Sequence, residues 1–333
     1  MRKKLIVFVC MALTSVLTVG NGQVKLKFNN DKKFKIVQLT DVHYISGDAR
    51  SDAALENIRE ALDAEKPDFV IFTGDVVYGK PADKGLREAL ALPSERKIPF
   101  GVTFGNHDDE FEFTRRQLFD IAKDIPYNMT STTPGITGVS NYILPVISSV
   151  SDKPAFILYC FDSNAYSTIE GVKGYGYIHS DQITWYKEQS ASYTSNNGGK
   201  PVPSVAFFHI PLPEYNQAAA DENAVMTGTR KEKACAPSLN SGMFTAMKEM
   251  GDVMATFVGH DHDNDYAAYW HGIMLAYGRY TGGNTVYNNL KPNGVRVIEI
   301  SEGEDGFRTW IRLRGGSIIH DIKYPGFFLK EKN

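Results

Sequence analysis

Phe100-Gly101-Val102-Thr103-Phe104-Gly105-Asn106-His107-Asp108 is the stretch from which the fold can be read. Its first five residues make an apolar run of strand length, and the last four place an amide, an imidazole and a carboxylate directly after a glycine. Gly and Asn tolerate a tight backbone, so the polar groups are presented together at the strand's carboxyl end. The same grammar occurs four more times. Phe34 to Thr40 runs into Asp41-x-His43, Phe69 to Thr73 into Gly74-Asp75, Ser204 to Phe208 into His209, and Met254 to Val258 into Gly259-His260-Asp261-His262. One Asp-x-His or Gly-Asp after a strand is no more than a turn. Five such ends in succession define a crevice of the kind in which open α/β sheets hold their ligands. The donors on offer are His, Asp and one Asn, with no Cys, which suits zinc, manganese or iron.

Outward from these strands the chain alternates short apolar runs with amphipathic segments, the pattern of an α/β protein. Ala54, Leu55, Ile58 and Leu62 recur at helical spacing, with Ser51 as the expected N-cap and an end before Pro67. Helices are also expected around Phe113 to Ile121, Asp181 to Glu188 and Ser241 to Met250. Phe156 to Phe161 reads as a further strand, and from Tyr266 the pattern turns to strands at 266–270, 273–277, 295–300 and 307–313. Ser190 to Pro203 is polar and linker-like but short, and strand runs continue on both sides. One domain from residue 23 to 333 is expected, with its core at about 34–300 and its last strands reaching about 314.

The 333 residues are 42% hydrophobic and 12% aromatic, enough to bury a large core and to exclude general disorder. A net charge of -3 gives no electrostatic reason to expect a nucleic-acid partner. Arg2, Lys3 and Lys4 precede an apolar stretch from Leu5 to Val19 followed by Gly20 and Gly22, the layout of a signal peptide over residues 1–22. The apolar stretch is shorter than the roughly 20 residues a bilayer span takes, so an uncleaved anchor is the lesser alternative. Removal of the segment would move the net charge from -3 to -6 and leave no membrane span. An exported, periplasmic or extracellular protein follows as the expectation. Only Cys160 and Cys235 would remain; they could pair in an oxidising compartment, but Cys160 in its apolar run reads more simply as a small buried hydrophobe.

The ordered set Asp41-x-His43, Gly74-Asp75, Gly105-Asn106-His107-Asp108, His209 and Gly259-His260-x-His262 resembles the calcineurin-like metallophosphoesterase superfamily. Its purple-acid-phosphatase-related branch is the nearer match, on Phe72-Thr73-Gly74-Asp75, the run from His209 to Glu214 and the run from Gly259 to Asp265, with echoes at Gly174 to Tyr177 and Tyr277 to Arg279. The resemblance implies a four-layer αββα sandwich, two mixed sheets flanked by helices, with two metal ions (Mn, Fe or Zn) at one edge of the paired sheets. Carried over by position, it puts Asp41, His43 and His262 on the first metal and Asn106, His209 and His260 on the second. Asp75 bridges them, and His107 stays off the metals beside a substrate phosphate. It further implies hydrolysis of a small phosphorylated substrate by a metal-activated hydroxide, with His107 as general acid.

A phosphomonoesterase is the leading expectation; a phosphodiesterase or nucleotide hydrolase, and a non-catalytic metal-dependent binding module, are the alternatives. Asn106 and His107 are expected at the phosphate. Arg279 is a candidate to reach it, with a structural ion pair as the competing reading. Asp108, Asp261, Asp263 and Asp265 are candidates to orient the imidazoles, or else solvated turn carboxylates. Purple relatives carry a tyrosine three residues past the bridging Asp and lack the His of Asp-x-His. This chain has both Tyr78 and His43, so Tyr78 is not expected to be a ligand and the protein is expected to be colourless. Glu112, Arg115 and Arg116 either shape a rim or solvate a helix face. His179, His271 and His320 read as packing or surface histidines. The substrate should be set by loops such as 218–238 and 46–48.

Overall fold

The computed structural model describes residues 24–329, so the segment read as a signal peptide lies outside the described residues. Two sheets pack face to face. The six-stranded sheet contains β2 (Lys33–Leu39), β3 (Phe69–Thr73), β4 (Phe100–Thr103), β12 (Gly294–Ser301), β13 (Phe307–Leu313) and β14 (Ile318–Tyr324), in the order β14-β13-β12-β2-β3-β4. The eight-stranded sheet contains β1 (Leu26–Lys27), β5 (Tyr142–Ile147), β6 (Pro154–Cys160), β7 (Ser204–Phe207), β8 (Val225–Thr227), β9 (Val253–Val258), β10 (Ala267–Trp270) and β11 (Ile273–Tyr277). Its order is β1-β5-β6-β7-β9-β11-β10-β8. Both sheets are mixed. The strands that matter for the site are parallel within each: β2 with β3 and β3 with β4, and β7 with β9.

Side-chain alternation builds the layers. In β3, Phe69 and Ile71 face the other sheet, while Val70 and Phe72 face helices. The inter-sheet core joins Phe34, Ile36, Ile298 and Ile300 to Leu144, Phe156, Leu158, Val205, Phe207 and Phe257. Each such side chain contributes roughly 1.5–3 kcal/mol by leaving water. Helices α1 (Asp52–Glu65), α2 (Ala82–Glu95) and α3 (Arg115–Ala122) cover the outer face of the six-stranded sheet. Helices α4 (Ser180–Asn196), α5 (Glu214–Ala220) and α6 (Met243–Met250) cover the other. The result is the αββα sandwich. No helix among the described residues is long and apolar enough to cross a membrane.

Helix α1 buries Ala54, Ile58, Ala61 and Leu62, spaced so that they share one stripe, and ends at Lys66 in the left-handed conformation just before Pro67. Ser51 does not cap it with its side chain. A 3-10 turn over Ala49–Ser51 intervenes, capped by Asp48, and the Ser51 hydroxyl instead accepts from the Ile45 amide at 2.9 Å. Helix α3 starts on a capping box between Thr114 and Gln117. Two expectations need correction. The polar stretch from Ser190 is no linker: helix α4 runs through it to Asn196, and the buried Ser190 hydroxyl donates to Asp252 at 2.8 Å. The sheet does not stop near residue 314, because β14 pairs with β13 out to Tyr324.

Candidate metal centre

The carboxyl ends of β2, β3, β4, β7 and β9 meet at one edge of the two sheets. Asp41 and His43 follow β2, Asp75 follows β3, Asn106 and His107 follow β4, His209 follows β7, and His260 and His262 follow β9. The turns are strained in a common way. Asp41, His43, Asp75 and His260 have φ of 52°, 46°, 51° and 78°, the left-handed region that non-glycine residues seldom enter and that clusters at functional sites. Tight packing explains the glycines. A Cβ on Gly105 would overlap the Asp75 carboxylate, and one on Gly259 would overlap the side chains of Thr40 and Asp41.

Hydrogen bonds aim the donors. The His107 amide donates to Asp75 Oδ1 at 2.8 Å, which leaves buried Asp75 Oδ2 without a hydrogen-bond partner. That oxygen lies 3.1 Å from His209 Nε2 and 3.7 Å from His43 Nε2, between the two halves of the cluster. Asp41 accepts from the His260 amide and from the Thr40 hydroxyl, and its Oδ1 lies 3.6 Å from His262 Nε2. His209 Nδ1 is 2.8 Å from the Thr73 carbonyl and His262 Nδ1 is 2.9 Å from the Tyr287 carbonyl. A carbonyl only accepts, so Nδ1 carries a proton in each ring and Nε2 is the nitrogen turned into the cluster.

Two groups of ligand atoms result. Those of Asp41, His43 and His262 lie within 4.8 Å of one another, as do those of Asp75, His209 and His260. Asn106 Oδ1 joins the second group at 3.2 Å from His209 Nε2, and His260 Nδ1 stands 3.3 Å from the same nitrogen. In the first group His43 Nε2 and His262 Nε2 are 3.0 Å apart. Ligand-type nitrogens and oxygens thus converge on two neighbouring points. The proton equilibria reflect the same demand for positive charge. Burial would lower His209, yet the Asp75 and Asp41 carboxylates override it and raise it to about 9. Burial dominates at His43 and His260, holding both neutral at about 3. Asp41 is brought down to about 2, against its burial, by the His262 hydrogen bond and the neighbouring imidazoles. An arrangement of buried imidazoles and two carboxylates fits a pair of cations taking nitrogen and oxygen ligands, which would take the place of the protons now shared there.

The residues around the cluster divide differently from the expectation. Arg279 is not at the substrate's disposal: its guanidinium donates to Asp265 Oδ2 at 2.6 Å and to the carbonyls of Leu290 and Pro292, a buried structural ion pair. Nor do the turn carboxylates orient the clustered imidazoles; backbone carbonyls hold those of His209 and His262. Asp108 accepts the amides of Gly105, Asp75, Val76 and Val77, Asp261 accepts the Cys235 amide and the Tyr277 hydroxyl, and Asp263 accepts the Asn289 amide. Arg115 lies buried under the His107 turn, paired with Asp162 and donating to the Gly105 carbonyl at 2.6 Å. Cys160 is buried, Cys235 exposed, and the two are not bonded. Tyr78 packs its ring at right angles to those of His43 and His107, with centroids 5.0 and 5.1 Å away. Sequence reasoning missed Glu110 and Tyr166 at the rim. Glu110 could have been suspected from its place three residues past His107, whereas nothing local marks Tyr166.

The fold and this cluster define a member of the metal-dependent phosphoesterases. Residues 34–264 match the calcineurin-like phosphoesterase family model, and the chain belongs to that family. Its relatives are purple-acid-phosphatase-related. It is 31% identical to the "Probable inactive purple acid phosphatase 14" of Arabidopsis thaliana, over 92% of this chain and 87% of the plant protein. It is 34% identical to "Phosphatase DCR2" of Saccharomyces cerevisiae, over 89% of this chain and 56% of the yeast protein. Among solved structures, a dimetal phosphatase from Danio rerio shares the fold with a TM-score of 0.60 at 15% identity, covering 87% of this chain and 98% of that one.

Proposed function

We propose that this protein is a dinuclear-metal-dependent phosphoric ester hydrolase acting on phosphomonoesters. Asp41, His43 and His262 would hold one cation, Asn106, His209 and His260 the other, and Asp75 Oδ2 both. The observation that carries the reading is that oxygen, buried without a hydrogen-bond partner between the two groups of ligand atoms. When bound, the metals would supply Lewis acidity and a water acidified toward neutrality.

The chain's own part is positioning and proton transfer. His107, half-buried at the edge of the cluster with its ring 5.5 Å from that of His43, is the group assigned to the leaving oxygen. As water's oxygen bonds to phosphorus, the ester P–O bond breaks and its electron pair stays on the leaving oxygen. That oxygen takes the proton of His107 Nε2, and the proton released by the attacking water returns to the imidazole through solvent. The neutral amide of Asn106 spares the phosphate a third nearby carboxylate.

The plant relative's printed name favours a second reading, a metal-dependent binding module without turnover. Against it stand all seven donors and His107 in one constellation. Hydrolysis of 4-nitrophenyl phosphate beside its bis-aryl diester, with and without Mn²⁺, decides between them. The monoester should be cleaved faster and only with metal. Faster diester cleavage would move the assignment to a phosphodiesterase, and cleavage of neither under any metal would leave the binding module. Export belongs to the same proposal and rests on the charged and apolar N-terminal pattern; fractionation of expressing cells tests it.

A further inference from the structure

The half-exposed rim carries a closed circuit of hydrogen bonds to which the carried-over motifs assign nothing. His107 Nδ1 lies 2.6 Å from Glu110 Oε2. Tyr166 donates its hydroxyl to Glu110 Oε1 at 2.5 Å, and Asn106 Nδ2 donates to the Tyr166 oxygen at 3.3 Å. Asn106 and His107 are neighbours in the chain, so the circuit leaves through one side chain of the turn and returns through the next.

Each link has one direction. A carboxylate only accepts, so its contact fixes a proton on His107 Nδ1, and Nε2 is the nitrogen that carries the second proton of the imidazolium acid and gives it to the leaving oxygen. The single phenolic proton of Tyr166 is spent on Glu110, so toward Asn106 the same oxygen must accept. That places the amide nitrogen of Asn106 outward and turns Oδ1 to the cluster, where it lies 3.2 Å from His209 Nε2. Tyr166 belongs to the loop after β6, in the opposite sheet from the His107 turn after β4. Although its side is 45% exposed, its ring is held by stacking on Tyr175 at 5.8 Å, and Tyr175 in turn packs edge-on to His260 at 4.2 Å.

We propose that Glu110 and Tyr166 are positioning residues: Glu110 acts through His107, holding the imidazole with Nε2 toward the leaving oxygen, and Tyr166 clamps Glu110 while setting the Asn106 amide. The inference rests on the hydrolase reading above, and two measurements keep their failures apart.

The first compares leaving groups on the metal-loaded protein. Glu110→Ala should lower kcat about 10–100-fold on an alkyl phosphate, whose oxygen needs a proton to depart, and less than about 3-fold on 4-nitrophenyl phosphate. KM and metal content by elemental analysis should hold. Glu110→Gln, which keeps an acceptor, should recover part of the loss, and Tyr166→Phe should show the same leaving-group pattern more weakly. In a His107→Asn background, Glu110→Ala should cost nothing further. Equal losses on both esters, or a full loss persisting without His107, would overturn the proposal.

The second is nitrogen-15 imidazole spectroscopy of the zinc-loaded protein, with the His107 signal identified by its disappearance in His107→Asn. A proton on Nδ1 in the unsubstituted protein, lost from Nδ1 in Glu110→Ala, supports the proposal; a proton on Nε2 alone in the unsubstituted protein removes it. An inactive protein with the Nδ1 proton in place would sink the hydrolase reading and leave the placement of the ring standing.

Discussion

The metal cradle and the rim beside it present neighbouring side chains to one substrate, yet they are built by different means. The cradle is buried and held by the backbone: strand ends from both sheets, left-handed turns, carbonyls on His209 and His262, and glycines through which neighbours pass closely. The rim is half-exposed, and the His107 imidazole there is held by side chains, through Glu110, Tyr166 and Asn106. Ligands fixed by backbone keep their convergent places whether protons or cations sit between them. A proton-transfer group has the opposite need, access to solvent and to the leaving oxygen, and accepts a softer support.

The sharpest way to break the comparison is Asp75→Asn. An amide offers one acceptor oxygen in place of a charged carboxylate, so both metals should be lost by elemental analysis and ester hydrolysis should fall to background, with the circular dichroism of the fold retained. Variants of Glu110 and Tyr166 should keep their metals. Retention of two metals by the Asp75 variant would show that the carboxylate does not join the two halves. Next in size is Arg115→Met. Its guanidinium satisfies Asp162 and the Gly105 carbonyl beneath the His107 turn, so truncation strands a buried carboxylate and should cost about 3–5 kcal/mol in urea denaturation. A smaller penalty is expected for Gly105→Ala, about 1–3 kcal/mol from overlap with Asp75, together with weakened metal retention. A neutral outcome there would mean the turn yields, and that close packing does not set the cradle.

The same division governs what could be read before the fold was known. Strand ends were legible because an apolar run breaking into Gly-Asn-His-Asp or Gly-His-Asp-His is a local event, and five of them share one edge once the strands are parallel. Helix α2 was not, since Gly85 and Pro93 interrupt its pattern, and Pro145 within β5 argues locally against a strand. Strand β14, with His320, Asp321 and Lys323, hides behind its polarity at the sheet edge. Arg279 and the turn carboxylates stayed open between two readings for a related reason: residue type shows what a side chain can bind, whereas the partner that claims it, Asp265 for Arg279, is set by tertiary packing. Tyr166 lies 59 residues from His107 in the chain, and only the sheet pairing brings them together.

The smallest effect comes from a carboxylate outside the site. Glu65 closes helix α1 against β13, accepting from Arg312 Nε at 2.6 Å and Trp310 Nε1 at 3.2 Å, with Lys35 Nζ at 3.3 Å. Burial works to raise its pKa, but the Arg312 and Trp310 bonds and the Lys35 charge carry it below the ordinary value. A group lower in the folded than in the unfolded state stabilises above its unfolded pKa, about 4.3, and loses that contribution as pH falls through the folded value. The stability difference between the protein and Glu65→Gln should therefore shrink as urea titrations move from about pH 6 to about pH 3. Asp41 and Asp75 also protonate in acid, but both proteins carry them, so their share cancels in the difference. A gap that held constant or widened on acidification would mean that Glu65 gains nothing from its cations.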